Sequence, residues 1–470
     1  MCSAKAESGR NVAPHLPAEL LVEIFDMCSP PGDDGLDGLS DTTTPAQEVE
    51  RLAKKYLLQL SQVCSRWHAL VMGTPMLWRI LIADTTLWRG SKKDPVVLLN
   101  LVEASLERGA SHPLTLQVAI EDEESLGSDL MESLSRHSQR WRQAHFWTGF
   151  LSFRLPNVEG NLPLLEKLEI SQNDDWREFD VFGDAPRLTH FTVSSWGTHV
   201  PTVPWAQLHH FRYHSFEPND LEGSLALLGN DFSAHARCDL ILIVMDIDLP
   251  IELPPIISNV SGFSLTLDVH EPLPQVLGAV LGCLTFSSLN ALAFLGKFGD
   301  RTLAWDNNNF LAFAARSSLR ASLTSLEMAR TTINDDELAA CLTVLPLLEQ
   351  LIIADIDGEG VTAGLITDTL LRRLIWTPDA LCLVPRLNFL CLTSLLHFSD
   401  DVYWDLIASR LIPARWNGLV LEAKIYCLQG RSRDLSEEFI LKGVELEAKG
   451  ELSFTARLDP EEELLRKLNL

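Results

Sequence analysis

Basic residues are scarce in this chain. Its 470 residues hold 38 lysines and arginines against 64 aspartates and glutamates, a formal net charge of −26. Such a surface repels the phosphate backbone, whose recognition demands a basic footprint, and equally an anionic membrane face. Neither nucleic acid nor membrane is therefore an expected partner. Long uncharged apolar runs are also missing. The most hydrophobic stretch, Leu240 to Ile257, is broken by Asp246, Asp248 and Glu252, which a bilayer core tolerates poorly. The opening Met-Cys-Ser-Ala-Lys-Ala-Glu has no apolar core for a secretory signal, so the expected compartment is the cytosol or the nucleus.

Paired cysteines are absent as well. The nine cysteines are odd in number and form no Cys-x-x-Cys, which fits neither a disulfide framework nor a zinc site. They read as small buried hydrophobes, and the sequon Asn259-Val260-Ser261 would be idle in a cytosolic chain.

Catalytic constellations are lacking too. Gly296-Lys297 is followed by Phe298, without the glycine spacing and the hydroxyl of a phosphate loop. His210 and His214 share a strand face but stand too far apart for close chelation, and no acid or thiol has the right spacing. Asp335, Asp336 and Glu337 are first-turn helix acids, favoured there by the dipole. The acidic run from Asp33 fails as a calcium loop, because its third position is Gly35 and its twelfth Thr44. No metal, no cofactor and no enzymatic activity are expected.

What the chain does contain starts with three helical patterns. Leu20, Leu21, Ile24 and Phe25 fall at helical spacing. Thr44-Pro45 with Gln47 opens a second helix, whose period runs through Val49, Leu52, Tyr56, Leu60, Val63, Trp67 and Val71. Thr74-Pro75 starts a third, carrying Leu77, Trp78 and Ile80. The combination Leu16-Pro17, Val63-Cys64-x-x-Trp67 and Pro75-x-Leu77-Trp78 resembles the F-box, a module that clips a protein onto a ubiquitin-ligase scaffold. The acidic insertion between Pro30 and Thr44 departs from its usual tight turn. Further on, Leu106-Glu-Arg-Gly-Ala-Ser-His-Pro-Leu-Thr-Leu116 and His137-Ser-Gln-Arg-Trp141 resemble F-box proteins of mushroom-forming fungi.

Beyond residue 150 a pattern repeats. Leu165-x-x-Leu168-x-Ile170 returns at Leu188, Phe191, Val193 and at Leu208, Phe211, Tyr213. It recurs from Leu289, Leu323, Leu348 and Leu387, with weaker copies at Val260, Phe263, Leu265 and at Trp416, Leu419, Leu421. Each copy is a short strand whose apolar face is covered only when neighbours stack. The register is faintest over residues 215 to 285, where a loosely related α/β arrangement also fits.

The expected fold class is α/β: an N-terminal three-helix F-box, then an irregular leucine-rich-repeat-like solenoid. The expected divisions are a disordered 1–13, the F-box at 14–82, a bridging region at 83–150, the solenoid at 151–458 and a C-terminal helix at 459–470. The resemblance implies that Leu16, Pro17, Ile24, Val63, Trp67, Pro75, Leu77 and Trp78 form or support the surface that holds a Skp-family adaptor, and through it a cullin. Alternation along the strands turns Lys167, His190, His210, Arg212, His214 and Glu327 outward as candidate target-binding residues. The implied function is the substrate-recognition subunit of a Skp–cullin–F-box ubiquitin ligase. An F-box scaffold without a degradative role and a solenoid enzyme are the competing readings.

Overall fold

The computed structural model describes residues 16–27, 57–85, 95–120, 125–148, 155–172, 181–195, 200, 202–245, 247–297, 302–356, 364–377, 382–416, 420–428 and 431–458. The acidic insertion, the start of the second helix and the C-terminal helix at 459–470 lie outside them. The chain is mixed α/β and forms two compact units, one of residues 1–189 with 199–204, the other of 190–198 with 205–470.

The first unit opens with α1 (Ala18–Met27), a helical stretch at 57–61, α2 (Ser65–Gly73) and a 3-10 turn, Pro75–Trp78. The continuous second helix expected up to Val71 is interrupted at Gln62 and Val63. The Cys64 side chain, in extended backbone, then caps α2 by accepting from Trp67 N. Ile80 belongs to no third helix: it begins a strand, β1 (Ile80–Asp84). There follow α3 (Pro95–Arg108), β2 (Leu114–Ile120), α4 (Ser125–Ser135), β3 (Trp141–Thr148) and β4 (Lys167–Gln172). These four strands pair in chain order, all parallel. α3 buries Leu98, Val102 and Leu106 against them but leaves Leu101 47% exposed.

The second unit carries β5 (His190–Ser195), β6 (His210–Ser215), α5 (Leu221–Ala226), β7 (Arg237–Val244), β8 (Ile256–Ser258), β9 (Gly262–Val269), α6 (Pro274–Cys283), β10 (Leu284–Phe286) and β11 (Ala291–Gly296). It continues through α7 (Asn307–Arg316), β12 (Ser325–Ala329), α8 (Asp335–Thr343), β13 (Gln350–Ala354), α9 (Asp368–Leu374) and β14 (Phe389–Ser394). It closes with α10 (Asp400–Trp416), β15 (Leu421–Cys427), α11 (Glu437–Ala448) and β16 (Leu452–Leu458). β8 and β10 make a small separate ribbon. The other ten strands are parallel and neighbour one another in order. The faint region therefore continues the same pairing, through β7 and β9.

Register explains the pattern seen in the sequence. Phe191, Phe211, Cys238, Phe263, Leu292, Leu326, Leu351, Leu390, Ala423 and Phe454 form one cross-strand row. Each of these residues is buried. The weak copy at Trp416, Leu419 and Leu421 is out of phase, because Ala423 and Ile425 pair with Leu390 and Leu392. Backbone carbonyls stitch successive strands together just before they begin. Ala236, Ser261, Asn290, Thr324 and Glu349 each accept two N–H groups from the next copy, for instance Thr324 N at 2.8 Å and Ser325 N at 3.0 Å on Asn290 O.

The helices obey the same order. Asn334 and Glu337 form a capping box on α8. Carbonyls left open at helix C-termini meet arginines from later in the chain, which also suits the helix dipole. Arg140 Nη1 donates to Leu106 O at 3.0 Å, and Arg316 Nη2 to Leu284 O at 2.8 Å. Arg410 is the extreme case, 1% exposed. Its Nε donates to Leu374 O at 2.9 Å, Nη1 to Val384 O at 2.7 Å and Nη2 to Leu383 O at 2.8 Å. Arg410→Met leaves three carbonyls buried without their donor. The loss should be on the order of 3 kcal/mol or more, read as a lowered denaturation midpoint of the full chain; an unchanged midpoint would refute this assignment.

Candidate functional site

Two surfaces collect the candidate residues, one in each unit. The N-terminal helices enclose a small core of Leu21, Phe25, Val71, Leu77 and Trp78, with Leu16, Leu57, Leu60, Trp67 and Leu70 packed around it. The Phe25 and Trp67 rings meet edge to face at 4.8 Å. Trp78 Nε1 donates to Val71 O at 2.8 Å, which satisfies the indole inside the core. Arg66 donates to Leu16 O and Arg79 pairs with Asp26, so both ends of α1 are tied down.

The apolar face of α1 divides in two. Leu21 and Phe25 turn into the core. Leu20, Ile24 and Met27 sit at i, i+4 and i+7, and are 45%, 43% and 85% exposed. Leu58 and Val63 add exposed apolar surface at 43% and 59%. A three-residue apolar ridge outside a closed core is a docking surface in chemical terms.

The eight residues expected to hold an adaptor separate on this basis. Pro17, Ile24 and Val63 are exposed, while Leu16, Trp67 and Pro75 are half-buried at the edge of the core. Leu77 and Trp78 are 3% and 7% exposed and belong to the core itself, so they support the surface without reaching a partner. Leu20, Met27 and Leu58 were not among the expected residues. The i, i+4, i+7 spacing of Leu20, Ile24 and Met27 was the available signal.

Of the candidate target-binding residues, Lys167 stands half-buried on β4 in the first unit, opposite Gln143 of β3. The other five stand in the second unit. His190 pairs with His210, their rings 6.1 Å apart and nearly perpendicular. The sequence offered these histidines and Arg212 as candidate target-binding residues. The structure adds an acid to it. Asp239 on β7 lies 2.8 Å from His210 Nε2 and 3.5 Å from Arg212 Nη2. Burial pushes its carboxyl up, but the His210 hydrogen bond and the nearby His210, Arg212 and Arg237 charges outweigh this and hold it below the ordinary carboxylate range.

His214 corrects the expected alternation. It is 6% exposed, with its ring 4.3 Å from that of Phe216, so it lines the interior end of β6 and is no surface ligand. Glu327 is half-buried on β12 between Ala293 and Ile352. Burial raises its pKa, partly offset by Arg237. Gly262 leaves room for the Arg237 arm to cross β9, since a Cβ there would meet Arg237 Cγ at 2.7 Å. The face is thus zwitterionic, with positive and negative groups interleaved.

Among the described residues no group of three His, Cys, Asp or Glu side chains is placed to share a metal ion, and no helix is long and apolar enough to cross a membrane. The buried thiols are pushed up by desolvation, Cys341 to about 12 and Cys283 and Cys391 to about 11.

Residues 13–82 match the F-box-like family model, so the chain carries an F-box-like domain there. A comparison with curated proteins finds no match. The matched span contains the closed core and the exposed α1 ridge, and such a domain points to a role in protein–protein interaction.

The division of α1 can be tested by two substitutions one residue apart. Phe25→Ala should cost about 3–5 kcal/mol and remove hydrogen-exchange protection from α2. Ile24→Ala should change stability by no more than about 1 kcal/mol. Equal losses for both would show that the ridge is part of the core.

Proposed function

We propose that this chain is the substrate-recognition subunit of a Skp–cullin–F-box ubiquitin ligase. The F-box-like domain would bind a Skp-family adaptor, and through it the cullin scaffold. The parallel-sheet region would act as a leucine-rich-repeat-like solenoid that binds a protein target. The single observation that carries the reading is the exposed Leu20–Ile24–Met27 ridge on a domain matching the F-box-like model. Its contribution to chemistry is positional: a held target meets the ubiquitin-carrying enzyme at high effective concentration, and no residue of this chain performs the transfer. In this reading the protein would work in the cytosol or nucleus, as an F-box protein of the type common in mushroom-forming fungi.

The target surface in this reading is the zwitterionic face around His190, His210, Arg212 and Asp239, joined by Glu327. Interleaved charges favour a partner of matching pattern and reject a uniformly charged one. A scaffold role without degradation uses the same adaptor contact and differs only in the fate of the bound partner.

Co-purification with a Skp-family adaptor tests the proposal, with the intact chain set beside Ile24→Asp/Val63→Asp and Arg212→Glu/His210→Ala variants. The intact chain should retain the adaptor, and the first variant should lose it by about a hundredfold or more, as expected for charge buried at an interface centre. The second variant should keep the adaptor and lose protein partners. Absence of adaptor from the intact, folded chain would end the F-box reading.

A further inference from the structure

The strands of the second unit contain four acids, Asp239, Asp268, Glu327 and Glu422. Three of them are paired. Asp239 lies 2.8 Å from His210 Nε2 and 3.5 Å from Arg212 Nη2. Asp268 lies 3.2 Å from Lys297 Nζ, and Glu422 lies 2.7 Å from Lys424 Nζ. Glu327, at the middle of β12, is the exception. Its half-buried carboxylate makes no ion pair and no hydrogen bond among the described residues.

Register shows why. Its cross-strand neighbours are Ala293 on β11 and Ile352 on β13. Ser325 and Ala329 flank it on the same face of its own strand. None of the four carries a positive charge. Beyond Ala293 the row continues through Ser264 to Asp239, another acid. The base on that side is Arg237, whose arm crosses β9 over Gly262. Its charge lowers the Glu327 pKa, but burial and the Asp239 charge raise it, and the net shift is upward.

A desolvated carboxylate without a counter-ion costs stability, and a partner that brings a cation removes that cost. Ala293 leaves space on one side of Glu327, and Ile352 offers an apolar contact on the other. Such a setting suits a lysine or arginine side chain, which lays its stem on apolar surface while its head reaches a charge. The net charge of −26 attracts a basic partner from further away.

We propose that Glu327 receives a lysine or arginine side chain of the target protein, and that this contact selects for a basic residue in the bound segment. The inference rests on the reading of this face as the target surface and adds what the target must carry there.

Two measurements on the full chain test it. Glu327→Gln keeps the shape and removes the charge, so without a partner it should raise the thermal midpoint by about 2 °C or more. An unchanged or lowered midpoint would overturn the proposal, because the carboxylate would then carry no cost for a partner to relieve. The second measurement uses arrayed random decapeptides with one fixed position as the probe. Pools fixed as lysine or arginine should be retained about tenfold more than pools fixed as glutamate or leucine. Glu327→Gln should erase that preference. Glu327→Lys should turn it toward the glutamate pools, a reversal that loss of folding cannot imitate. Equal retention of all pools by the intact chain overturns the proposal. So does a basic preference that survives Glu327→Gln, since that preference comes from net charge alone. Adaptor retention by the same chains should not change, and it reports on the ligase reading separately.

Discussion

Parallel strands cannot be joined by a tight turn, and this constraint organises most of the molecule. Every return to the sheet needs a crossover, and most crossovers in the second unit supply a helix that covers the apolar row beneath it. The row from Phe191 to Phe454 stays in register although the chain between its members varies from 20 residues (Phe191 to Phe211) to 39 (Leu351 to Leu390). Loop length is tolerated because it changes closure entropy only slowly. A slip in register is not, because it would turn the buried row toward solvent. The paired N–H groups on Ala236, Ser261, Asn290, Thr324 and Glu349 hold that register by backbone alone. This explains how side-chain identity around them can drift so far.

The N-terminal domain solves a different problem. A few short helices bury too little area to be robust, and several polar side chains compensate by anchoring the backbone. Arg66 reaches Leu16, Arg79 reaches Asp26 and Trp78 reaches Val71. Trp78 also joins the domain to the sheet of the first unit, because β1 starts two residues later and the Arg108 guanidinium lies 4.7 Å from its ring centroid. A surface presented by α1 is thereby fixed to the first strands.

Charge on the second unit's face shows how geometry revises composition. Acidic residues outnumber basic ones by 26 across the chain, so three histidines and an arginine on adjacent strands looked like an exception in the sequence. Asp239, one strand further on, neutralises much of that exception. It was overlooked because the strand containing it, Arg237–Val244, falls where the leucine pattern is weakest and has Cys238 in place of the leading apolar residue.

Local spacing alone determined a good deal of this protein. The Leu-Pro, Val-Cys-x-x-Trp and Pro-x-Leu-Trp elements marked the F-box-like span, and the Leu-x-x-Leu-x-Leu copies marked strands β4, β5, β6 and β11 to β14, because two-residue alternation and helical periodicity are written in adjacent residues. The helix start at Asp335, Asp336 and Glu337 was legible for the same reason. Tertiary structure decided the rest. Whether Leu20 or Leu21 faces the core depends on where the Val71–Trp78 segment packs. The burial of His214, the pairing of Asp239 with His210 and the three-carbonyl setting of Arg410 depend on partners 2 to 36 residues away. The strands β7, β15 and β16 carry too few leucines to announce themselves, and only pairing with their neighbours gives them a register.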